Sequence, residues 1–218
     1  MDTAATIPQV QSYRMPAPGT WAANRTDWRP QPKRCALLVH DMQHYFLKCY
    51  RAEASPLTEL LANTLLLRQR CHALDIPVFY SQADAQTPAQ RGLVSAFWGP
   101  GMQAAPSATG IVDALRRTPK DMVIRKHRYS AFHRTDLLEK LRNRGRDQLL
   151  ICGVYAHLGC MATALDAFMN DVQPFMVSDA LADFSQADHL MALSYVAQGC
   201  GSVLSNAEVL LALDAFAP

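Results

Sequence analysis

The chain has 218 residues, of which half are hydrophobic and 18% are charged, and its formal net charge is +2. This length and composition suit one compact globular domain with a substantial core. The near balance of charges argues against a nucleic-acid binder, and no apolar stretch approaches the ~18 residues of a membrane helix.

The first predicted segment, residues 1–34, is rich in proline and polar residues and shows no sustained periodicity. It lacks the basic region and apolar stretch of a secretory signal, so we expect a cytoplasmic protein. We predict an extended arm that packs on the body of the protein through Trp21 and Trp28. Residues 35–218 are predicted to form a single domain.

From residue 35 onwards, short apolar runs alternate with helical patterns. The predicted strands are 35–41, 76–82, 121–126, 147–154, 174–180 and 201–205. The predicted helices cover 55–75, begin near 158 and near 185, and close the chain. Continuously apolar strands are buried on both faces, which requires a parallel sheet covered by helices. We therefore predict an α/β fold, a doubly wound and mainly parallel six-stranded sheet with helices on both faces.

Polar residues stand at the ends of several predicted strands. Asp41 ends the first strand, Gln82 the second and Lys126 the third, and a turn over 153–159 follows the fourth. Ligands of such sheets bind beyond the carboxyl ends of the strands. We therefore expect these residues to converge on one site.

Asp41 and Lys126 each allow two interpretations from the local sequence. Asp41 fits a helix cap or a surface aspartate, but a carboxyl group walled by Phe46 also fits a proton donor with a pKa raised by desolvation. Lys126 alone fits a solvated lysine. If Lys126 and Asp41 lie at the same edge of the sheet, a functional role for Lys126 fits as well as that of a solvated lysine.

The stretch GVYAHLGCMATALDAF, residues 153–168, contains both a histidine and a cysteine. His157 and Cys160 do not share a helical face, whereas Cys160 falls on one stripe with Ala164 and Phe168. We therefore expect Cys160 to belong to the core. The other cysteines are scattered without C-x-x-C pairs, and the seven histidines form no helical metal motif, so we expect no metal and no cofactor.

Five segments, taken in order, resemble the isochorismatase-like hydrolase superfamily, and within it the branch of true isochorismatases. That branch includes isochorismatase domains of siderophore pathways and 2-amino-2-deoxyisochorismate hydrolases of phenazine pathways. The segments are ALLVHDMQHYFL, RGLVSAFWGPGM, KHRYSAFHRTDL, the long run from Gly145 to Ser185 and HLMALSYVA.

The resemblance implies a hydrolase that lacks the nucleophile of its amidase relatives. Those amidases use an Asp–Lys–Cys triad, and their cysteine motif places the nucleophile at Gly159, while Asp41 and Lys126 match the other two positions. The amidase metal motif is also missing. Hydrolysis of an enol ether begins with protonation of carbon and needs no protein nucleophile. The absent side chain at Gly159 is then expected to make room for the enolpyruvyl group.

By the same resemblance, the substrate is isochorismate and the products are pyruvate and 2,3-dihydro-2,3-dihydroxybenzoate. Asp41 would protonate the vinyl carbon, and Lys126 would bind a substrate carboxylate and hold Asp41. A cis peptide is expected at Val154–Tyr155. The further substrate-binding residues that the matching segments imply are Phe46, Gln82, Arg91, Trp98, Tyr129 and Tyr155.

Several alternatives remain open at this stage. The same chemistry on 2-amino-2-deoxyisochorismate uses the same residues, and His127 and Ala83 depart from the usual residues of the pocket rim. A cysteine-dependent amidase is disfavoured by Gly159, and a binding or scaffold role without catalysis would predict no pyruvate release. The family commonly forms homodimers or larger homo-oligomers, and any carrier function would reside on another polypeptide.

Overall fold

The computed structural model describes residues 7–215, so the ends of the predicted arm and of the predicted domain lie outside the described residues. The strands are β1 (Cys35–His40), β2 (Val78–Ala83), β3 (Met122–Lys126), β4 (Gln148–Val154), β5 (Gln173–Ala182) and β6 (Ser202–Leu204). They form one sheet in the order β3-β2-β1-β4-β5-β6, and every neighbouring pair is parallel. The predicted α/β class and six-stranded sheet are confirmed.

The helices are α1 (His44–Leu47), α2 (Leu57–Ala73), α3 (Pro88–Arg91), α4 (Val94–Trp98), α5 (Pro106–Thr109), α6 (Leu137–Arg142), α7 (Met161–Met169), α8 (Gln186–Gly199) and α9 (Asn206–Asp214). A 3-10 turn spans Asp113–Leu115, and a π-helical turn, Ala156–Cys160, precedes α7. The four predicted helices correspond to α2, α7, α8 and α9. The short helices between β2 and β3 have too few residues to show a period in the sequence.

Two apolar clusters cover the two faces of the sheet. Helices α2 and α9 pack on one face through Leu60, Leu67 and Val209, and α6, α7 and α8 pack on the other. Strand β1 is fully buried, as a strand between two helical layers must be. Packing of helices on both faces thus holds β1 in the middle layer, and with it Asp41, the residue that follows this strand.

Residues 7–34 form no helix or strand and run over the body as an extended segment. Trp28 packs against the first apolar cluster and Trp21 against the second, as predicted. The amide of Asn24 donates to the carbonyl oxygen of Val203, and the Val203 N–H donates back to the Asn24 side chain. The separation of an arm from a domain stays a prediction. Within residues 7–215, no helix combines the length and apolarity needed to cross a lipid bilayer.

Candidate active site

The strand order reverses between β1 and β4, which are adjacent in the sheet. Beyond their carboxyl ends lies a cleft of about 760 Å³, open solvent at its mouth included. Such a crevice at a reversal of strand order is where ligands bind in doubly wound sheets. The cleft is lined by most of the predicted site residues: Asp41, Phe46, Arg91, Trp98, Lys126, Tyr129, Tyr155 and Gly159.

Asp41 and Lys126 form a buried ion pair at the bottom of the cleft. The Asp41 Oδ2 atom lies 2.6 Å from Lys126 Nζ, and the two side chains are 8% and 5% exposed. The Ser81 hydroxyl donates to Asp41 Oδ1 at 2.6 Å, while Lys126 Nζ also donates to the Arg128 carbonyl oxygen. Asp41 has a φ of 50°, a left-handed conformation that bends the chain as it leaves β1. The pair is therefore held from three strands, β1, β2 and β3.

Two opposing effects set the protonation of Asp41. Burial alone would raise the pKa of its carboxyl group. The Lys126 ammonium, the neighbouring His40 and the hydrogen bonds from Lys126 and Ser81 together outweigh burial and lower the pKa below its ordinary value. Asp41 is therefore ionised in the free protein at neutral pH. A cap or surface role for Asp41 does not fit a buried, ion-paired carboxylate.

Aromatic side chains form one wall of the cleft. The rings of Tyr155 and Phe184 lie 4.2 Å apart between centroids, and Trp98 packs against Phe184 at 5.4 Å. Two hydrogen bonds fix the wall, from Tyr155 Oη to the Phe46 carbonyl oxygen at 2.6 Å and from Trp98 Nε1 to Tyr129 Oη at 2.7 Å. The rings are tilted against one another by 42° and 47°, so the wall offers a concave or stepped set of apolar faces to a ring-shaped ligand. Phe184, which follows β5, was not predicted, because nothing in its local sequence marks it as a site residue.

Arg91 and Gln82 differ in their placement. Arg91 lines the cleft, and its Nε donates to the Gly99 carbonyl oxygen at 3.0 Å. Gln82 is buried beside the cleft and is not among the residues of its wall. Its Nε2 faces the Thr109 carbonyl oxygen at 3.4 Å. Its Oε1 is buried without a hydrogen-bond partner in the protein. The substrate contact of Gln82 stays a prediction.

The turn after β4 contains Gly159, and its surroundings differ from the expectation. The Val154–Tyr155 peptide is cis, as the resemblance implied. A Cβ atom on Gly159 would overlap the imidazole of His40, lying 2.9 Å from Nε2 and 3.1 Å from Nδ1. The space of the missing side chain is thus filled by His40. Gly159 lines the cleft, and its part in receiving the enolpyruvyl group stays a prediction.

Within the described residues, the wall of the cleft contains no cysteine, serine or threonine. All six cysteines are buried. Cys160 lies in the core as predicted, and burial raises the pKa of its thiol well above the ordinary value. A thiolate nucleophile is therefore absent from this wall.

His157 pairs with an acid that the sequence did not indicate. Its Nδ1 lies 2.6 Å from Asp183 Oδ1, and its backbone N–H donates to Asp183 Oδ2 at 2.6 Å. Asp188, whose carboxylate accepts from the Ser185 hydroxyl at the start of α8, lies nearby. Each of the three side chains therefore already has a hydrogen-bonding partner in the protein. The expectation of a site without metal or cofactor stays a prediction.

We expect the protein to lose stability in mild acid, because two histidines, His40 and His189, are fully buried. Burial lowers the pKa of each to about 4, from about 6.5 in the unfolded chain. Between those values the unfolded chain binds more protons, so stability falls as pH drops from 6.5 towards 4. The loss is on the order of 3 kcal/mol for each histidine at 1.36 kcal/mol per pKa unit.

Thermal unfolding midpoints measured from pH 7.5 to 4.5 test this expectation. His189→Gln keeps a donor for the Ser178 carbonyl oxygen, which His189 Nε2 approaches to 3.1 Å, but does not titrate. We expect its midpoint to decline less with acid than that of the wild type. His133→Gln, at an exposed position, is the matched control and should follow the wild type. Equal slopes for all three proteins would contradict the expectation.

Comparisons with known proteins agree on one family. The family model described as the isochorismatase domain matches residues 35–208. The isochorismatase of Bacillus subtilis is 49% identical over 195 residues, which make up 89% of this chain and 62% of that protein. The chain therefore spans less than two thirds of that relative. Phenazine biosynthesis protein PhzD1 of Pseudomonas aeruginosa is 45% identical, over 94% of this chain and 98% of that protein.

Solved structures share the fold. A cysteine hydrolase from Pseudomonas syringae pv. phaseolicola superposes with a TM-score of 0.80 at 24% sequence identity. The superposition covers 90% of this chain and 99% of that one. At this identity the likeness supports the three-layer fold alone.

Proposed function

The chain belongs to the isochorismatase family, and we propose that it hydrolyses the enolpyruvyl ether of isochorismate to pyruvate and 2,3-dihydro-2,3-dihydroxybenzoate. The observation that carries this proposal is a buried acid–ammonium pair, Asp41 and Lys126, in a cleft whose described wall offers no serine, threonine or cysteine as a nucleophile. The hydroxyl and thiol nucleophiles that commonly form acyl intermediates are thus missing from this wall. Hydrolysis of a vinyl ether needs an acid and a water molecule.

Asp41 is the general acid of the proposed reaction. Its carboxyl proton moves to the terminal methylene carbon of the enolpyruvyl group, leaving an oxocarbenium ion at the ether carbon and a carboxylate on Asp41. Water adds to that carbon and releases a proton, giving a hemiketal. The bond between the hemiketal carbon and the ether oxygen then breaks. The ether oxygen stays on the carbocyclic ring as a hydroxyl group of the dihydrodiol, and the other fragment becomes pyruvate. One water is consumed, and the proton given by Asp41 is returned.

The low pKa of Asp41 in the free protein requires that its proton be acquired as the substrate binds. The substrate carries two carboxylates, and Lys126 is the buried ammonium nearest to the acid. When a substrate carboxylate takes Lys126 as its partner, Asp41 loses the charge that lowers its pKa, and burial then raises that pKa. Substrate binding thereby converts Asp41 from a carboxylate into a proton donor.

The remaining wall residues suit the rest of the substrate. Arg91 offers a guanidinium to the second carboxylate, with N–H groups beyond the one bound to Gly99. Tyr155, Phe184 and Trp98 present faces to the cyclohexadiene ring. A closed aromatic wall also lowers the polarity around the oxocarbenium ion, so that nearby carboxylates stabilise it more strongly than in water.

A coupled assay tests the proposed function. Purified protein is mixed with isochorismate, lactate dehydrogenase and NADH, and the loss of NADH absorbance reports pyruvate. We expect sustained turnover on isochorismate and a weaker rate on 2-amino-2-deoxyisochorismate under the same conditions. Alkylation with iodoacetamide should leave the rate unchanged, since the cysteines are buried outside the cleft. Absence of pyruvate from both substrates would overturn the proposal.

One observation supports a second candidate, the same reaction on 2-amino-2-deoxyisochorismate. The phenazine biosynthesis protein of Pseudomonas aeruginosa matches along 98% of its own length. The two substrates differ only in one ring substituent, and both carry the group that Asp41 would protonate. The same assay decides between them by the ratio of their kcat/KM values. A homo-oligomer and a separate carrier protein stay predictions.

A further inference from the structure

His40 fills the end of β1 next to Asp41 and is enclosed by two glycines. Its side chain is completely buried. The backbone of His40 lies against Gly153, which has a φ of 114°, and a Cβ there would meet the His40 backbone nitrogen at 2.8 Å. The imidazole lies against Gly159, as described above. Both positions facing His40 therefore exclude any side chain larger than hydrogen.

The imidazole also connects the segments that form the cleft. Its Nδ1–H donates to the Val154 carbonyl oxygen at 2.8 Å, directly before the turn that carries Tyr155 and Gly159. Its Nε2 lies 3.3 Å from the carbonyl oxygen of Tyr129, in the loop that follows Lys126. Nδ1 is 3.7 Å from Asp41 Oδ2. One ring thus spans the ends of β1 and β4 and the loop after β3.

We propose that His40 is a positioning residue for Asp41, and that its imidazole and a side chain at position 159 are mutually exclusive. His40 would hold the Val154–Gly159 turn at the distance that the acid needs. In doing so it occupies the place where a nucleophile would project from position 159. The part of this inference that concerns catalysis rests on the proposed function, whereas the packing part does not.

The exclusion has a chemical consequence for the site. A single Gly159→Cys change does not create a thiol beside Asp41 and Lys126, because the new Cβ collides with the His40 ring. Two positions must change together before a nucleophile fits. His40 thereby keeps the site restricted to chemistry in which water, and not the protein, attacks the substrate.

Asparagine and leucine at position 40 separate the packing role from the hydrogen-bonding role. Both side chains end near the positions of Nδ1 and Cδ2 of histidine, so both vacate Cε1 and Nε2, the two atoms nearest to a Cβ on Gly159. The Nδ1 position, 3.1 Å from that Cβ, stays filled. Asparagine retains a donor near the Val154 carbonyl oxygen, and leucine has the same branched shape without a donor. His40→Leu is therefore the matched control for His40→Asn.

A double-mutant cycle with thermal unfolding tests the packing part. With His40 present, Gly159→Ala and Gly159→Cys should each lower the unfolding midpoint by about 3–10 °C, the range expected for one overpacked group in a protein of this size. In the His40→Asn background the same changes should cost less than about 2 °C. Equal costs in both backgrounds would overturn the mutual exclusion.

Thiol labelling gives a second readout that does not depend on turnover. In the His40→Asn/Gly159→Cys protein, iodoacetamide should modify the cysteine introduced at position 159, and mass spectrometry of the peptides identifies the site. The six native cysteines are buried and serve as an internal control. If the folded double variant is not labelled at position 159, the loss of the His40 ring does not free the space for a thiol, and the mutual exclusion is overturned.

Pyruvate release tests the positioning part. We expect His40→Asn to keep kcat within about tenfold of the wild type, and His40→Leu to lose about 100-fold in kcat with little change in KM. Equal rates for these two variants would overturn the positioning role. If the wild type itself releases no pyruvate, the proposed function fails, while unfolding and labelling still decide the packing part.

Discussion

Asp41→Asn should lower kcat for pyruvate release by about 10²–10⁴-fold, the usual contribution of a general acid. Asparagine preserves the shape of the side chain and accepts the Ser81 hydrogen bond that now reaches Asp41 Oδ1 at 2.6 Å. It has no proton of suitable acidity to give to a vinyl carbon. We therefore expect the substrate to bind and turnover to stop, measured by the coupled assay and by equilibrium binding.

A matched control exists on the surface. Asp136, directly before α6, and Lys140 on α6 form another aspartate–lysine pair, with side chains that are 55% and 29% exposed. Asp136→Asn removes the same charge and should leave the rate within about twofold, since exposed pairs contribute little. Full activity of Asp41→Asn would remove the general acid from the proposed mechanism, whatever the stability of the variant.

Lys126→Met should lower kcat/KM at pH 7 by about 10–150-fold, the value of one charge-assisted hydrogen bond to a substrate carboxylate. Methionine keeps the length of the aliphatic chain without the ammonium. Lys140→Met on α6 is the matched control and should retain the wild-type rate. Because the change also raises the pKa of Asp41 and thus its protonated fraction, equilibrium binding is measured beside kcat/KM. An unchanged dissociation constant would mean that Lys126 does not bind the substrate.

The pH profile of Lys126→Met separates substrate binding from control of Asp41. In the wild type the ammonium holds the pKa of Asp41 below its ordinary value, so kcat/KM should fall as pH rises above that low pKa. Without Lys126 the largest effect that lowers the pKa of Asp41 is lost, and only His40 and the Ser81 hydrogen bond still oppose burial, so we expect that pKa to rise. The decline should then begin at a higher pH. A decline at the same pH in both proteins would show that Lys126 does not set the ionisation of Asp41.

The ionisation of Asp41 should give the wild type and Lys126→Met opposite dependences of stability on pH. In the wild type, the lowered pKa of Asp41 contributes stability that is present above about pH 4, the value in the unfolded chain, and is lost as pH falls. In Lys126→Met the pKa is raised, so stability is lost as pH rises instead. The destabilisation caused by Lys126→Met should therefore be larger at pH 8 than at pH 5, which unfolding midpoints measure.

The sequence was sufficient for the parts of the site that depend on strand order. Asp41 and Lys126 come directly after or at the end of apolar strands, and parallel strands bring such ends to one edge, where the two residues form their ion pair. The aromatic residues of the cleft came from the resemblance to the family, because periodicity alone does not distinguish a cleft wall from a core. The match to the isochorismatase family model confirms that resemblance.

The remaining features depend on packing between distant segments. Strand β2 runs one residue beyond the predicted end at Gln82, to Ala83, and Gln82 Nε2 lies 3.4 Å from the Thr109 carbonyl oxygen. Gly159 does lack a side chain, yet the space is taken by His40, which lies far earlier in the chain. The pairing of His157 with Asp183 likewise joins the turn after β4 to the end of β5. A local sequence pattern does not indicate which of two side chains, distant in sequence but adjacent in space, fills the space between them.

The burial of every cysteine has a consequence for the conditions under which this protein works. Burial raises the pKa of Cys152 to about 12 and that of Cys35 to about 12, so these thiols stay protonated and react slowly. The described cleft wall contains no cysteine, so thiol-directed electrophiles find no sulfhydryl group there, and the sulfur it does contain is the thioether of Met102. Turnover should therefore tolerate thiol-directed electrophiles that inactivate a hydrolase with a nucleophilic cysteine.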